Sequence, residues 1–244
     1  MSVKSALRVV EIVEVFARER QPLALSELAR LLTMPVSSCL GLVRTLEGLG
    51  WLYEVSRRQG YYPTGRLLSM AQQIAASDPV LERVRPTLQE LRDTSGETVL
   101  LTQLREPLRV VYLEVIDSPH RIRYAAQAGE MRDAHVNSAG RALLAALPAG
   151  ERARLLAEAR FTPHTPRTVA NAQALEAELA ASRERGWFAN LGETSPDLAG
   201  VAWPIARAGQ IYAVSVVGPT YRIEPNAERL AAMLRAACAS IEKN

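Results

Sequence analysis

At 244 residues the chain is too long for one minimal domain and short for three, so two domains are expected. Its 29 Lys and Arg against 26 Asp and Glu leave a formal net charge of +3, which argues against a highly basic architectural protein. Hydrophobic residues make up 48% of the chain, enough for a sizeable core in each domain, and no apolar run approaches membrane-spanning length.

In chain order, the first informative element is Leu25-Ser26-Glu27-Leu28-Ala29-Arg30-Leu31-Leu32. It reads as a short helix with Ser26 as N-cap, its oxygen accepting from a first-turn N–H. Thr33-Met34-Pro35 breaks the run. A second helix follows, with Val36, Leu40, Val43, Leu46 and Leu49 spaced to bury one stripe. Ser37, Gly41, Arg44 and Gly48 form the opposite stripe, flanked by Ser38 and Thr45. That outward face is small and polar with one cation, a surface able to lie against base edges in a major groove. Trp51 to Val55 and Tyr61-Tyr62 then read as two short strands. Between them Ser56-Arg57-Arg58-Gln59-Gly60 is a basic turn, so Arg57 and Arg58 would sit at the tip of a wing, against phosphate or in a minor groove. A basic hairpin alone is a weak signal. Helix, break, helix and basic hairpin in that order predict a winged helix-turn-helix over residues 1–64. Charge agrees: residues 1–75 hold nine Lys/Arg and six Asp/Glu, and the remainder of the chain is balanced.

Residues 65–79 are expected to form a helical linker, with Arg66 to Ala75 helical and Ser77-Asp78-Pro79 as punctuation. Leu81, Val84, Leu88 and Leu91 mark the next helix. Residues 80–244 alternate. Val99 to Leu104, Val110 to Ile116 and Ile122 to Ala126 read as strands. Ala139 to Leu147, Glu151 to Arg160 and Ala172 to Arg185 read as helices. Phe188 to Leu191, Val201 to Ala206 and Ile211 to Val217 are strand-like, and Glu224 to Ile241 closes as a helix. The pattern predicts an α+β chain whose second domain is an antiparallel sheet flanked by helices. Cys39 and Cys238 read as reduced packing thiols. His120, His135 and His164 show no metal-ligand spacing, so neither metal nor cofactor is expected. Lys4 and Arg8 are followed by no apolar signal region, and a soluble, cytoplasmic protein is expected.

The ordered set of motifs resembles the IclR-type bacterial transcriptional regulators. The matching residues are Ser5-Ala6-Leu7-Arg8, Leu25 to Ala29, Pro35 with Ser37-Ser38, Leu46-Glu47-Gly50 and Tyr62 to Gly65. Further matches are Thr94 to Thr98, His135 to Ala142, Arg183 to Trp187, and Gly218-Pro219 with Arg222. The resemblance implies a profilin or GAF-like sheet with a ligand cavity on one face. It also implies binding to double-stranded operator DNA as a homodimer or homotetramer, under control of a small organic acid. Two positions of the second helix depart from it. Val36 stands where the family often has a basic residue, and Gly41 where it often has arginine, which places more of the readout on Arg44.

Asn137-Ser138-Ala139-Gly140 leads into a helix. From the residues alone this is an ordinary cap with Asn137 or Ser138 as the capping oxygen, and helix-start N–H groups can equally attract an anion. The resemblance implies that Ser138, Ala139 and Gly140 help hold an effector carboxylate, with Asn190, Gly200, Ser215 and Val217 as further pocket positions. Relatives that take two- or three-carbon keto acids tend to carry an acidic residue, a cysteine or serine, and two serines there, so only Ser215 matches. Gly200 removes volume, Val217 replaces a hydroxyl with apolar surface and Asn190 removes a negative charge. A larger, partly apolar or aromatic acid is therefore expected, with Tyr124, Phe161 and Trp203 as candidate walls. Two other functions are compatible with the residues. One is a DNA-binding oligomer with a purely structural second domain. The other is a hydrolase built on Ser138, His135 and Asp133, for which no Gly-x-Ser-x-Gly elbow is present, so no catalytic residue is assigned.

Overall fold

The computed structural model describes residues 3–56, 58–105 and 107–243. The chain divides into two compact units, Met1–Ser77 and Asp78–Asn244, and the helix expected as a linker groups with the first.

The first unit begins with α1 (Lys4–Glu19), which the sequence reading left unassigned. Its Ile12, Val15 and Phe16 are buried, at i, i+3 and i+4. Then come α2 (Leu25–Leu31) and α3 (Val36–Gly48), the two helices of the helix-turn-helix. Ser26 is not the cap. Leu23 is held to Tyr61 by backbone bonds of 3.0 and 2.9 Å, so the chain turns helical at Leu25, Ala24 occupies the cap position, and Ser26 lies inside the first turn. The buried stripe of α3 is Cys39, Val43 and Leu46, while Val36 and Leu49 are 49% and 54% exposed. Val36 is the first residue of the helix and Leu49 its C-cap, so both stand at the ends of the stripe. Strands β1 (Leu52–Ser56) and β2 (Gly60–Pro63) form the wing, in the register Leu52↔Pro63. Gly60 sits at φ 83°, and a Cβ there would lie 2.1 Å from the Leu23 carbonyl oxygen, so only glycine fits between the wing and that bridge. Helix α4 (Arg66–Ala76) follows.

The second unit opens with α5 (Pro79–Ser95), capped by Asp78, whose carboxylate accepts from Val80 and Leu81 N–H. All four expected stripe residues, Leu81, Val84, Leu88 and Leu91, are buried. The sheet strands are β3 (Thr98–Arg105), β4 (Arg109–Ile116), β5 (Met131–Asp133), β6 (Phe188–Leu191), β7 (Leu198–Arg207) and β8 (Gln210–Pro219). They form one antiparallel sheet in the order β5-β4-β3-β8-β7-β6. The expected strand at Ile122–Ala126 is irregular chain instead. The edge of β4 is taken by the segment after it: Tyr112 N–H donates to the Glu130 carbonyl, Gly129 N–H to the Tyr112 carbonyl, and Arg109 pairs with Asp133.

Both faces of the sheet are covered. On one, Val99, Leu101, Val201, Val214 and Val216 pack against α5 and α10 (Ala227–Lys243). On the other, Leu100, Val110, Tyr112, Ala202 and Ala213 pack beneath α6 (Ser138–Ala146), with Leu155 and Leu156 of α7 (Ala149–Ala157) and Leu175 and Leu179 of α8 (Ala172–Arg185). Alternate residues of each strand thus feed two cores, each buried leucine contributing about 1.5–3 kcal/mol. The short helix α9 (Thr220–Ile223) is tied back by Arg222, which forms a two-armed ion pair with the buried Glu97. Both cysteines are buried and free; burial pushes both thiols up, which keeps them protonated and inert.

Candidate functional site

In the first unit, Ser37, Ser38, Gly41, Arg44, Thr45 and Gly48 are all exposed, on the side of α3 away from Cys39, Val43 and Leu46. The hydroxyl of Thr45 donates to the Gly41 carbonyl at 2.9 Å, so toward a ligand it offers acceptor lone pairs and a methyl group. A Cβ at Gly41 would meet no atom within 4 Å, so the absence of a side chain there is not imposed by packing. At the wing tip Arg58 is exposed, and Arg57 lies outside the described residues. The turn is closed by Gln59 N–H donating to Ser56 Oγ at 3.1 Å.

In the second unit a cavity of about 200 Å³ lies on the α6 side of the sheet. Its walls come from β4 and β5 at one end (Arg109, Arg132, Asp133), from α6, β7 and the 190–194 turn at the other (Ser138, Asn190, Thr194, Gly200), and from Tyr112, Tyr124 and Val217 between. The volume is below the roughly 300–1,000 Å³ of drug-sized sites, which points to a small ligand.

Of the seven expected pocket residues, Ser138, Asn190, Gly200 and Val217 line this cavity. Ala139, Gly140 and Ser215 are buried and do not line it. Asn137 is the cap of α6: its Oδ1 accepts from Ala139 N–H at 2.9 Å and Gly140 N–H at 3.4 Å. Gly140 is held flush to the preceding turn, since a Cβ would lie 2.2 Å from the Ala134 carbonyl oxygen. Ser215 Oγ is buried with no hydrogen-bond partner. The space expected at Gly200 is largely occupied, because a Cβ there would meet Ser138 Oγ at 3.0 Å and a Val217 methyl at 3.2 Å. Tyr124 is on the wall as expected, whereas Phe161 packs on His135 and Trp203 on Phe188.

The polar groups around the cavity form two local networks. Asn137 Nδ2 donates to Tyr112 Oη at 3.3 Å, and the two phenol oxygens of Tyr112 and Tyr124 are 3.0 Å apart. Burial pushes the Tyr112 phenol up, so it stays a neutral donor. Asn190 accepts from Glu193 N–H at 2.9 Å and donates to Thr194 Oγ1 at 3.0 Å, and Thr194 donates to the Val136 carbonyl at 2.7 Å. Behind this turn Arg141, 1% exposed, forms a bidentate pair with Glu193 and donates to the carbonyls of Ala189 at 2.7 Å and His135 at 3.2 Å.

The cationic end was missed from sequence. Arg109 Nε is 3.2 Å from Asp133 Oδ1, and His164 Nε2 is 3.3 Å from Asp133 Oδ2. The Arg109 contact is an ion pair by distance only: that N–H is buried with no hydrogen-bond acceptor. Arg132 pairs with Glu130. The missed signal was Met131-Arg132-Asp133, a segment passed over because the third strand was expected at Ile122–Ala126. The Ser138–His135–Asp133 set is not assembled, since the His135 ring meets the Thr162 carbonyl at 3.3 Å and the Phe161 ring instead. Burial holds His135 below the ordinary histidine range, as a neutral ring. Among the described residues no group of His, Cys, Asp and Glu fits a metal ion, and no helix is long and apolar enough to cross a membrane.

Comparison with known proteins bears on both units. The family model of the IclR helix-turn-helix domain matches residues 5–56, and that of the bacterial transcriptional regulator IclR C-terminal region matches residues 72–243. The chain is 32% identical over 206 residues to the transcriptional regulator SauR of Cupriavidus necator, covering 83% of this chain and 80% of that protein. An IclR transcriptional regulator from Silicibacter sp. TM1040 superposes with a TM-score of 0.79 at 26% identity, covering 98% of this chain and 95% of that one. An IclR homolog from Microbacterium hydrocarbonoxydans, crystallised in complex with 4-hydroxybenzoate, superposes with a TM-score of 0.77 at 24% identity over 98% of each chain. Two matched domains in one order, over nearly the whole length, show that the chain belongs to the IclR family of bacterial transcriptional regulators.

Proposed function

We propose that this regulator binds operator DNA through α3 and the wing, as a dimer or a dimer of dimers, and that a small organic acid in the second unit controls that binding. The observation that carries the reading is the small cavity with cations at one end, neutral hydroxyl and amide groups at the other, and aromatic and apolar side chains between. A purely structural domain gains nothing from leaving such groups around a void. The exposed Ser37, Ser38, Arg44 and Thr45 supply contacts to bases and nearby phosphates, and Arg57 and Arg58 supply contacts to the backbone. The acid shifts the population between DNA-competent and DNA-incompetent arrangements by binding one better than the other.

Val217, Leu198, Met131 and the two tyrosines offer apolar area to a ring or short chain. Aromatic acids are therefore favoured over glyoxylate and pyruvate, in keeping with the structural neighbour that holds 4-hydroxybenzoate. The test is fluorescence anisotropy of the full chain on duplex from upstream of its own gene, with benzoate, 4-hydroxybenzoate, pyruvate or glyoxylate added, alongside calorimetry of each acid. Tight, salt-dependent DNA binding that one acid alters supports the reading. DNA binding indifferent to every acid, with no heat of acid binding, overturns the control by acids. Light scattering at micromolar concentration is expected to show at least a dimer, and a monomer with full operator affinity contradicts the assembly.

A further inference from the structure

We infer that an acid in this cavity lies with its carboxylate on Arg109 and Arg132, turned away from the start of α6, and carries a hydroxyl or similar neutral polar group at its far end. This rests on the effector reading above. Two first-turn N–H groups of α6 that could hold an anion, those of Ala139 and Gly140, already donate to Asn137 Oδ1, and both residues are off the cavity wall. The side-chain charge lies at the opposite end. Two guanidiniums and one carboxylate line the wall, a net of +1 before His164 is counted. Arg109 keeps a buried Nε–H without an acceptor, a donor that a ligand carboxylate would satisfy. Arg132 lines the cavity while its partner Glu130 does not, and its other terminal nitrogen donates to the Met131 carbonyl at 3.2 Å.

Arg109 stands on β4 and Gly200 on β7, with β3 and β8 between them. At the β7 end the polar groups are Ser138, Asn190 and Thr194, all neutral, which suit a hydroxyl and give a carboxylate no countercharge. Tyr112, Tyr124, Leu198 and Val217 complete the wall. The ligand class is thus an acid with its carboxylate and a neutral polar group at opposite ends of a flat or short apolar body.

The test is calorimetry on the full-length chain with 4-hydroxybenzoate, benzoate and pyruvate, each set against its neutral amide. Arg109→Gln and Arg132→Gln are each expected to weaken acid binding by about tenfold or more, the worth of a charge-assisted hydrogen bond, and to leave the amides unchanged. Arg109→Lys keeps a cation beside Asp133 and is expected to retain most of the acid affinity, which separates lost recognition from lost folding. Ser138→Ala is expected to weaken 4-hydroxybenzoate and its amide equally. If folded Gln variants hold the acids as tightly as the unmodified chain, or if Ser138→Ala abolishes the preference for acid over amide, the orientation is overturned and the effector reading stands. If no acid binds the unmodified chain, the effector reading falls and the orientation with it.

Discussion

The two units place their polar groups in opposite ways. On α3, Ser37, Ser38 and Arg44 stand in solvent on a helix held from behind by Cys39, Val43 and Leu46. Around the cavity, Asn137, Thr194 and Arg141 are each bonded to another segment of chain, Asn190 is bonded within its own turn, and Asn190 and Arg141 are buried. The difference is one of coupling. Exposed groups on a rigid helix are exchangeable one at a time, and their effects add. Groups in a low-dielectric network share partners, and removing one leaves others unsatisfied. The exposed face of α3 is therefore separable from folding, and much of the cavity wall is not.

The substitution that breaks this contrast most severely is Arg141→Ala. It strips Glu193 of its partner and removes a guanidinium donor from the Ala189 and His135 carbonyls. A loss of about 3–5 kcal/mol is expected, as for one half of a buried ion pair, read by scanning calorimetry of the full chain. A loss below about 1 kcal/mol, the range of an exposed pair, erases the distinction between the two regions. Arg44→Ala is the counterpart in the first unit: melting unchanged, operator affinity down by about 1–3 kcal/mol if the contact is bidentate to a guanine. Arg58→Ala is expected instead to weaken binding to every sequence and to lower the salt dependence. A fall in melting temperature with Arg44→Ala counts against separability. Gly41→Ala sharpens the point from the other side. The added methyl enters open space on an exposed helix, so stability is expected to rise by about 0.5–1 kcal/mol while DNA affinity changes independently.

The smallest effect is one of pH. His135 is held neutral by burial, with Asp133, His164 and Arg141 nearby. A histidine depressed in the folded state contributes stability above its unfolded value of about 6.5 and loses it as pH falls from there through the folded value. His135→Gln is expected to flatten that part of the stability profile, measured by thermal melts between about pH 5 and 7. Retention of the full slope assigns it to other groups.

What could be read in advance follows the same division. The helix-turn-helix, the wing and the stripe of α5 were legible because their signals are local: a break, a basic turn and a 3.6-residue period over Leu81, Val84, Leu88 and Leu91. The exposure of Val36 and Leu49 at the two ends of α3 was not, since what covers a helix end is a matter of packing. The cap was open among two candidates, and Asn137 takes the role with Ser138 as the first helical residue. The cationic end of the cavity was hidden by a single misplaced edge strand. Ile122–Ala126 has strand composition, but composition does not say which segment wins the free edge of β4, and the three residues that win it are Met131, Arg132 and Asp133. Gly200 illustrates a different limit. A glycine suggests space, yet whether the neighbours fill it depends on a helix brought in from sixty residues away.

The Arg141–Glu193 pair has a consequence for how such a protein changes over generations. The pair grips the 190–194 turn from behind and does not line the cavity. Residues on the wall that carry no such duty, among them Met131, Leu198 and Val217, can drift in size while the frame that aims Asn190 and Thr194 stays put. On the proposed reading, a lineage carrying this anchor changes its ligand through a few apolar substitutions, with the old scaffold inherited intact.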